Sequence, residues 1–264
     1  MNLFDAIYLR KSIRKYNPQK LSKDLLIEIE NLANSSNVLY EEIDMKVHLV
    51  EDGEKIQKII KGIIGSYGKI IAPHYLVVTS EEKDGHLENV GFAIEEVILK
   101  LTTMGIATCW IGGHIKPELL YDIVDIPQNH APVILVSFGY PKNKETFLRQ
   151  TSHENKRKKL SEIIEEKSND TWDNILDAAR VAPSAVNSQP WRFVVEDQAI
   201  HTYVVKRSNF ITKKVLERIN QIDIGIALSH INIASSHFDK NIEFKKLHQS
   251  SNNKNNYVMS VVDV

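Results

Sequence analysis

Apolar positions recur along the chain with two periods. Where they fall three and four residues apart they predict amphipathic helices. Leu3, Phe4, Ile7 and Tyr8 form the first such face. It follows Asn2, which suits an N-cap, and carries Asp5 in its first turn, where a carboxylate favours the helix dipole. Leu25, Leu26, Ile29 and Leu32 form a second face behind the cap residue Ser22. Further helices are predicted over 53–64, 91–104, 172–180 and 226–238, with a short one over 119–124. Gly105 suits the end of 91–104, and Pro183 pushes the residue before it out of the α region. Short apolar runs between the helices read as strands: 45–50, 75–79, 107–111, 133–138, 193–195 and 257–262. The unbroken run over 133–138 predicts a strand buried on both faces.

This order of elements repeats. The helix ends near Asn34 and Ala182 correspond at an offset of 148 (175 − 27). Leu49-Val50-Glu51-Asp52 answers Val194-Val195-Glu196-Asp197 at 145 (196 − 51). Asn89-Val90-Gly91 answers Asp223-Ile224-Gly225 at 134 (225 − 91), each inside or beside a long helix. The strand over 257–262 then stands for 132–137. The drifting offset means that the second copy is the shorter. The expected division is 1–160 and 161–264.

Composition narrows the class of protein. The net charge of −1 excludes a global basic field for nucleic acid. The single cysteine, Cys109, excludes an internal disulfide, and a reducing cytoplasm is the expected compartment. No apolar run is long enough to span a bilayer, and the N-terminus lacks the regions of a signal peptide. The histidines show no metal-binding spacing, so no metal is expected. Gly62, Gly65 and Gly68 form neither a dinucleotide fingerprint nor a phosphate loop, and read as helix termination.

Two segments carry candidate chemistry. Arg10-Lys11-Ser12-Ile13-Arg14 offers two guanidinium forks and a hydroxyl within five residues, a set that suits a phosphate monoester. Ala182-Pro183-Ser184-Ala185-Val186-Asn187-Ser188-Gln189-Pro190-Trp191 links a helix to a strand, a common place for function. On composition alone each also reads as a solvated turn. Gly112-Gly113 allows a backbone to approach a flat ligand closely, or is a plain strand-to-helix turn. Lys156-Arg157-Lys158-Lys159 alone is a solvated linker face.

Together the two segments resemble the signature motifs of the FMN-dependent nitroreductase superfamily. In ordinary members the Pro-Ser loop follows the arginine motif by a few tens of residues; here it lies in the far half. The resemblance implies an α+β fold, a nitroreductase-like three-layer α/β/α arrangement in two degenerate copies. Ordinary members are homodimers that hold each flavin between the first motif of one subunit and the loop of the other. The chain thus resembles a fused, tandem-duplicated pseudo-dimer, a monomer with one flavin site kept and the other decayed. By the same resemblance Arg10 and Ser12 lie at the FMN phosphate end, Lys11 between them is a cofactor-binding residue, and Arg14 lies near the N1–C2 edge of the ring. Cys109, Trp110, Ile111, Gly112 and Gly113 lie along the ring, and Pro183, Ser184 and Ala185 cover it. Arg157 and Lys159 complete the phosphate site. Asn187 and Gln189 belong to the loop and are expected to bond its backbone. Cys109 reads as a small hydrophobe and Trp191 as core. No catalytic side chain is implied. The implied reaction moves hydride from NAD(P)H through FMN to a small-molecule acceptor, a nitroaromatic or quinone. A specialised flavoenzyme of the same superfamily, or a flavin-binding sensor with little turnover, are the alternatives.

Overall fold

Asn2 and Asp5 open the chain with a reciprocal capping box. Asn2 Oδ1 accepts from the Asp5 N–H at 2.8 Å and the Asp5 carboxylate accepts from the Asn2 N–H at 3.3 Å. They start α1 (Leu3–Leu9), and the Ser22 hydroxyl caps α2 (Lys23–Asn34) as expected. The computed structural model describes residues 1–60, 70–112, 116–151, 156–165, 170–196, 198–206, 213–247 and 254–264. In it follow α3 (Gly53–Ile60), α4 (His86–Thr103), α5 (Asp170–Arg180) and α6 (Lys213–His237). The expected helix end at 61–64 and its three glycines lie outside the described residues. Residues 117–119 form a 3-10 turn instead of the expected helix over 119–124. Helix α6 begins well before 226, because Ile219 and Ile222 continue its apolar face among polar neighbours.

Among the described residues, eight strands pair into two four-stranded antiparallel sheets. The first contains β1 (Met45–Val50), β2 (His74–Glu81), β3 (Ala107–Ile111) and β4 (His130–Gly139), in the order β1-β2-β4-β3. The second contains β5 (Trp191–Glu196), β6 (Ala199–Val205), β7 (Ile242–Lys245) and β8 (Asn255–Asp263), in the order β5-β6-β8-β7. Strands β6 and β7 were not expected. His201 and Thr202 interrupt the apolar run of β6, and β7 has only four residues.

The two sheets match in detail. Each carries a register shift on its second strand, between Val78 and Thr79 and between Thr202 and Tyr203. Equating these shifts sets Tyr75 on Ala199, hence Val50 on Glu196 through their ladder partners. The first strands therefore correspond at 146 (196 − 50), one residue from the 145 expected. Among the described residues the second half lacks counterparts of α1 and α3; the remaining elements follow in the same order. Left-handed backbone recurs at Gly105 (φ 77°) and Asp239 (φ 54°), again 134 apart (239 − 105).

Helices α4 and α6 make the most extensive helix–helix contact in the molecule. Two glycines bring them together reciprocally. A Cβ on Gly91 would sit 2.1 Å from the Ile222 carbonyl oxygen, and one on Gly225 would sit 2.1 Å from that of Glu88. Only glycine permits so close a backbone approach. One continuous core runs from Leu76 and Val136 of the first sheet, through Ile94, Ile98, Leu228 and Ile231, to Phe193 and Val261 of the second. Tyr75, Cys109 and Ile111 face a separate cluster on the other side of the first sheet, under α3.

Candidate functional site

The arginine motif leaves α1 in extended form and lies against the edge strand β3. The Ile13 N–H donates to the Thr108 carbonyl at 2.9 Å, and the Arg149 N–H donates to the Leu9 carbonyl at 2.8 Å. The Tyr16 hydroxyl, buried under the sheet, reaches the Ser137 carbonyl at 3.1 Å. These bonds fix the backbone from which Arg10, Ser12 and Arg14 project.

The Pro-Ser loop follows α5. Three of its residues that are not glycine take left-handed backbone: Val186 (φ 48°), Asn187 (φ 57°) and Gln189 (φ 48°). Such geometry costs about 1 kcal/mol or more per residue and persists only when neighbours over-determine it. They do so here. The Ala185 N–H donates to both carboxylate oxygens of Asp223, at 3.2 and 3.1 Å. The Ser184 hydroxyl accepts from the Gln189 N–H at 3.0 Å. Gln189 Oε1 accepts from the Lys158 N–H, and Asn187 Oδ1 accepts from Arg157 Nη1, both at 2.6 Å. Gln189 thus bonds backbone within the loop, through Nε2 to the Asn187 carbonyl, whereas the Asn187 side chain reaches outside it to Arg157 and the Lys156 carbonyl.

A cavity of about 530 Å³ separates the motif from the loop. Arg10, Lys11, Ser12 and Arg14 line one side, with Trp110 and Gly112 at the end of β3. Pro183, Ser184, Ala185 and Asn187 line the other, and Arg157 closes one end. Residues from both halves of the sequence therefore meet at one space. Cys109, Ile111 and Gln189 are buried behind this wall, and Lys159 is exposed away from it, its N–H bonded to Glu162. Gly113 lies outside the described residues. Trp191 is wholly buried in the core.

Several wall residues escaped the sequence reading. Arg149 joins the cationic side, and Ile219, Ile222, Asp223 and Ile226 form a roof from α6. The spacing of the three isoleucines follows one helix face, a signal that was present. Arg149 carries no local pattern; only the backbone pairing with Leu9 brings it in.

Charge in the cavity is lopsided. Arg10 is 4% exposed; its Nε lies 3.6 Å from the buried Glu95 carboxylate, and its Nη1 is buried without a hydrogen-bond partner. Burial, with repulsion from Arg10, Arg149 and Arg180, pushes the Arg157 pKa down to about 10. Several like charges gathered around one cavity favour an anion between them. The Cys109 thiol is shifted the other way: burial raises its pKa against the pull of Arg14 and Arg10, which disfavours thiolate chemistry.

The fold is that of the nitroreductase-like α+β class. It resembles the crystal structure of "a putative nitroreductase" from Thermotoga maritima MSB8 with a TM-score of 0.66 and 22% identity, covering 99% of this chain and 94% of that one. The chain belongs to the family described as "Putative TM nitroreductase", whose model matches residues 2–235. Two relatives, each called "Putative NADH dehydrogenase/NAD(P)H nitroreductase", are similar over part of the chain. The one from Archaeoglobus fulgidus is 26% identical over 152 residues, 53% of this chain and 86% of its own. The one from Methanothermobacter thermautotrophicus is 25% identical over 154 residues, 53% of this chain and 78% of its own. Among the described residues no helix is long and apolar enough to cross a membrane.

Proposed function

We propose that the protein is an FMN-dependent NAD(P)H oxidoreductase with one flavin site per chain, built from both halves of a duplicated, fused pseudo-dimer. The observation that carries this reading is the buried Arg10, its Nη1 without a hydrogen-bond partner, in the wall of a cavity closed by the Pro-Ser loop. The residues present fit FMN. Arg10, Ser12, Arg149 and Arg157 would hold its phosphate, since guanidinium and hydroxyl donors match phosphate oxygens. Trp110, Gly112, Pro183 and Ala185 would border its ring. Arg14 would place a positive charge at the N1–C2 edge, where charge develops on reduction. The α6 isoleucines would exclude water from the ring's surroundings. The chemistry supplied by FMN, when bound, is hydride transfer from NAD(P)H to a flat acceptor such as a nitroaromatic or quinone. The names of the two relatives support the nicotinamide donor.

The pseudo-dimer reading is supported by the matched sheet orders and the reciprocal glycines. Since the fold would contain its own dimer interface, a monomer in cytoplasmic solution is the proposed working form. The test is the absorption spectrum of the purified protein with added FMN, then NADH and NADPH oxidation with a quinone. A flavin spectrum and steady turnover are expected. A chain that neither retains nor binds FMN sinks the reading; one that binds but does not turn over is a flavin-binding protein instead.

A further inference from the structure

Glu95 is fully buried in α4, one layer behind the cavity wall, and no part of the flavin reading above uses it. Three side chains converge on its carboxylate. Trp110 Nε1 donates to Oε2 at 2.9 Å. Arg10 Nε faces Oε1 at 3.6 Å. His230 Nε2, from α6 of the other half, faces the same oxygen at 3.1 Å. The first two belong to residues that line the cavity. His230 is anchored in turn, because its Nδ1 lies 2.8 Å from the Ala178 carbonyl in α5.

The proton count follows from these partners. A carbonyl can only accept, so Nδ1 carries hydrogen. Nε2 then meets a carboxylate oxygen, and a second hydrogen must lie between them. The His230–Glu95 pair is therefore electrically neutral as a unit. Arg10, which lines the cavity, keeps its net positive charge while its Nε faces Glu95 and its buried Nη1 has no hydrogen-bond partner. A bare carboxylate at this distance would instead cancel much of that charge.

We infer that Glu95, held by His230 across the two halves, is the positioning residue that aims Arg10 at the phosphate of the cofactor. The inference rests on the flavin reading, and the test separates the two. Dissociation constants for FMN and for riboflavin, which lacks the phosphate, are measured for the parent protein, Glu95→Gln, Arg10→Ala and the double variant. Glu95→Gln keeps the shape and the net charge of the pair, since its amide can donate to neutral His230. It removes the acceptor that Arg10 Nε faces. FMN affinity should fall about tenfold, and riboflavin affinity should stay within about twofold. In the Arg10→Ala background the same substitution should leave the FMN-to-riboflavin ratio unchanged. An unchanged ratio in Glu95→Gln alone, or equal losses for both ligands, overturns the positioning role. A parent protein that binds neither ligand, or shows no preference for FMN, overturns the flavin reading itself. Should Glu95→Gln not fold, His230→Gln reads the same ratio. It leaves Glu95 as a bare anion beside Arg10, so the ratio should fall; a parent-like ratio overturns the inference.

Discussion

The loop after α5 and the loop after α2 occupy equivalent places, and they have opposite fates. Each is anchored by the same position of its long helix. Asp223 accepts from the Ala185 N–H, while Asn89, 134 residues earlier (223 − 89), accepts from the N–H groups of Leu39 and Tyr40 at 2.7 and 3.0 Å. Above α6 the result is an open cavity under Ile219, Ile222 and Ile226. Above α4 the same offset gives Gly85, Glu88 and Phe92, and the space is filled. The Tyr40 ring lies where a Cβ on Gly85 would be 2.5 Å away. Lys246, at the offset of Gly112, sits over that ring and pairs with Asp84 at 2.9 Å. Phe244, at the offset of Trp110, packs edge-on against Phe92. The backbone is common to both places because a shared core and a helix crossing demand it. A cavity survives only where side chains leave it, and the sequence ahead of α5 has no Arg-x-Ser-x-Arg to receive an anion.

The helix crossing offers the largest effect with which to break the comparison. Gly91→Ala and Gly225→Ala should each lower stability by about 2–3 kcal/mol, because overpacking against a backbone carbonyl forces the helices apart. At an exposed helix position the same change would stabilise by about 1 kcal/mol. Chemical denaturation reads both, and a large loss at only one glycine would deny the reciprocal crossing.

Glu88 sharpens the comparison through pH. Its counterpart Ile222 is apolar, whereas burial, with repulsion from Asp84, raises the Glu88 pKa to about 7 against the pull of Lys246. A carboxyl with a raised pKa is protonated in the folded protein while the unfolded chain ionises. Its contribution is thus fully present below about pH 4.5 and is lost as pH rises through 7. Glu88→Gln should flatten this slope and gain up to about 3 kcal/mol above pH 7. Melting curves between pH 4 and 8 measure it; an unchanged slope places the titration elsewhere.

Ligand affinity gives a comparable contrast. Arg10→Ala should weaken FMN binding by about ten- to hundredfold, whereas Lys246→Ala at the filled counterpart should leave it within about twofold. Equal losses would mean that the filled place contributes to the site. The smallest effect belongs to Arg14→Gln, which should lower the midpoint potential of bound flavin without releasing it. A parent-like potential in spectroelectrochemical titration would move Arg14 from the ring edge.

Much of this contrast was legible in the sequence, through particular kinds of residue. Caps and breakers marked helix ends, so Asn2, Ser22, Gly105 and Pro183 stand where expected. The 134-residue offset was visible because the glycines and their polar neighbours are irreplaceable at the crossing. The two motifs named half of the cavity wall. Strand β6 escaped because His201 and Thr202 break its apolar run, and β7 because four residues that pair only with the later β8 carry little period-two signal. Arg149 escaped because only its pairing with Leu9 brings it to the cavity, and the apolar face of α6 was legible as a face but not as the roof of a cavity. The filling of the counterpart by Tyr40, Phe244 and Lys246 could not be read from missing motifs alone. It depends on where three side chains point.

The central claim is one composite site per chain, and the flavin content of the saturated protein tests it most directly. Protein is saturated with FMN, freed of excess, and denatured, and the released flavin is measured against chain concentration. The account predicts one FMN per chain in the parent, and the same ratio in Phe244→Ala, where the filled counterpart is opened but still lacks its arginines. A ratio near two would show that the second place also holds flavin, and a ratio near one-half that a site needs two chains. Either would contradict the account.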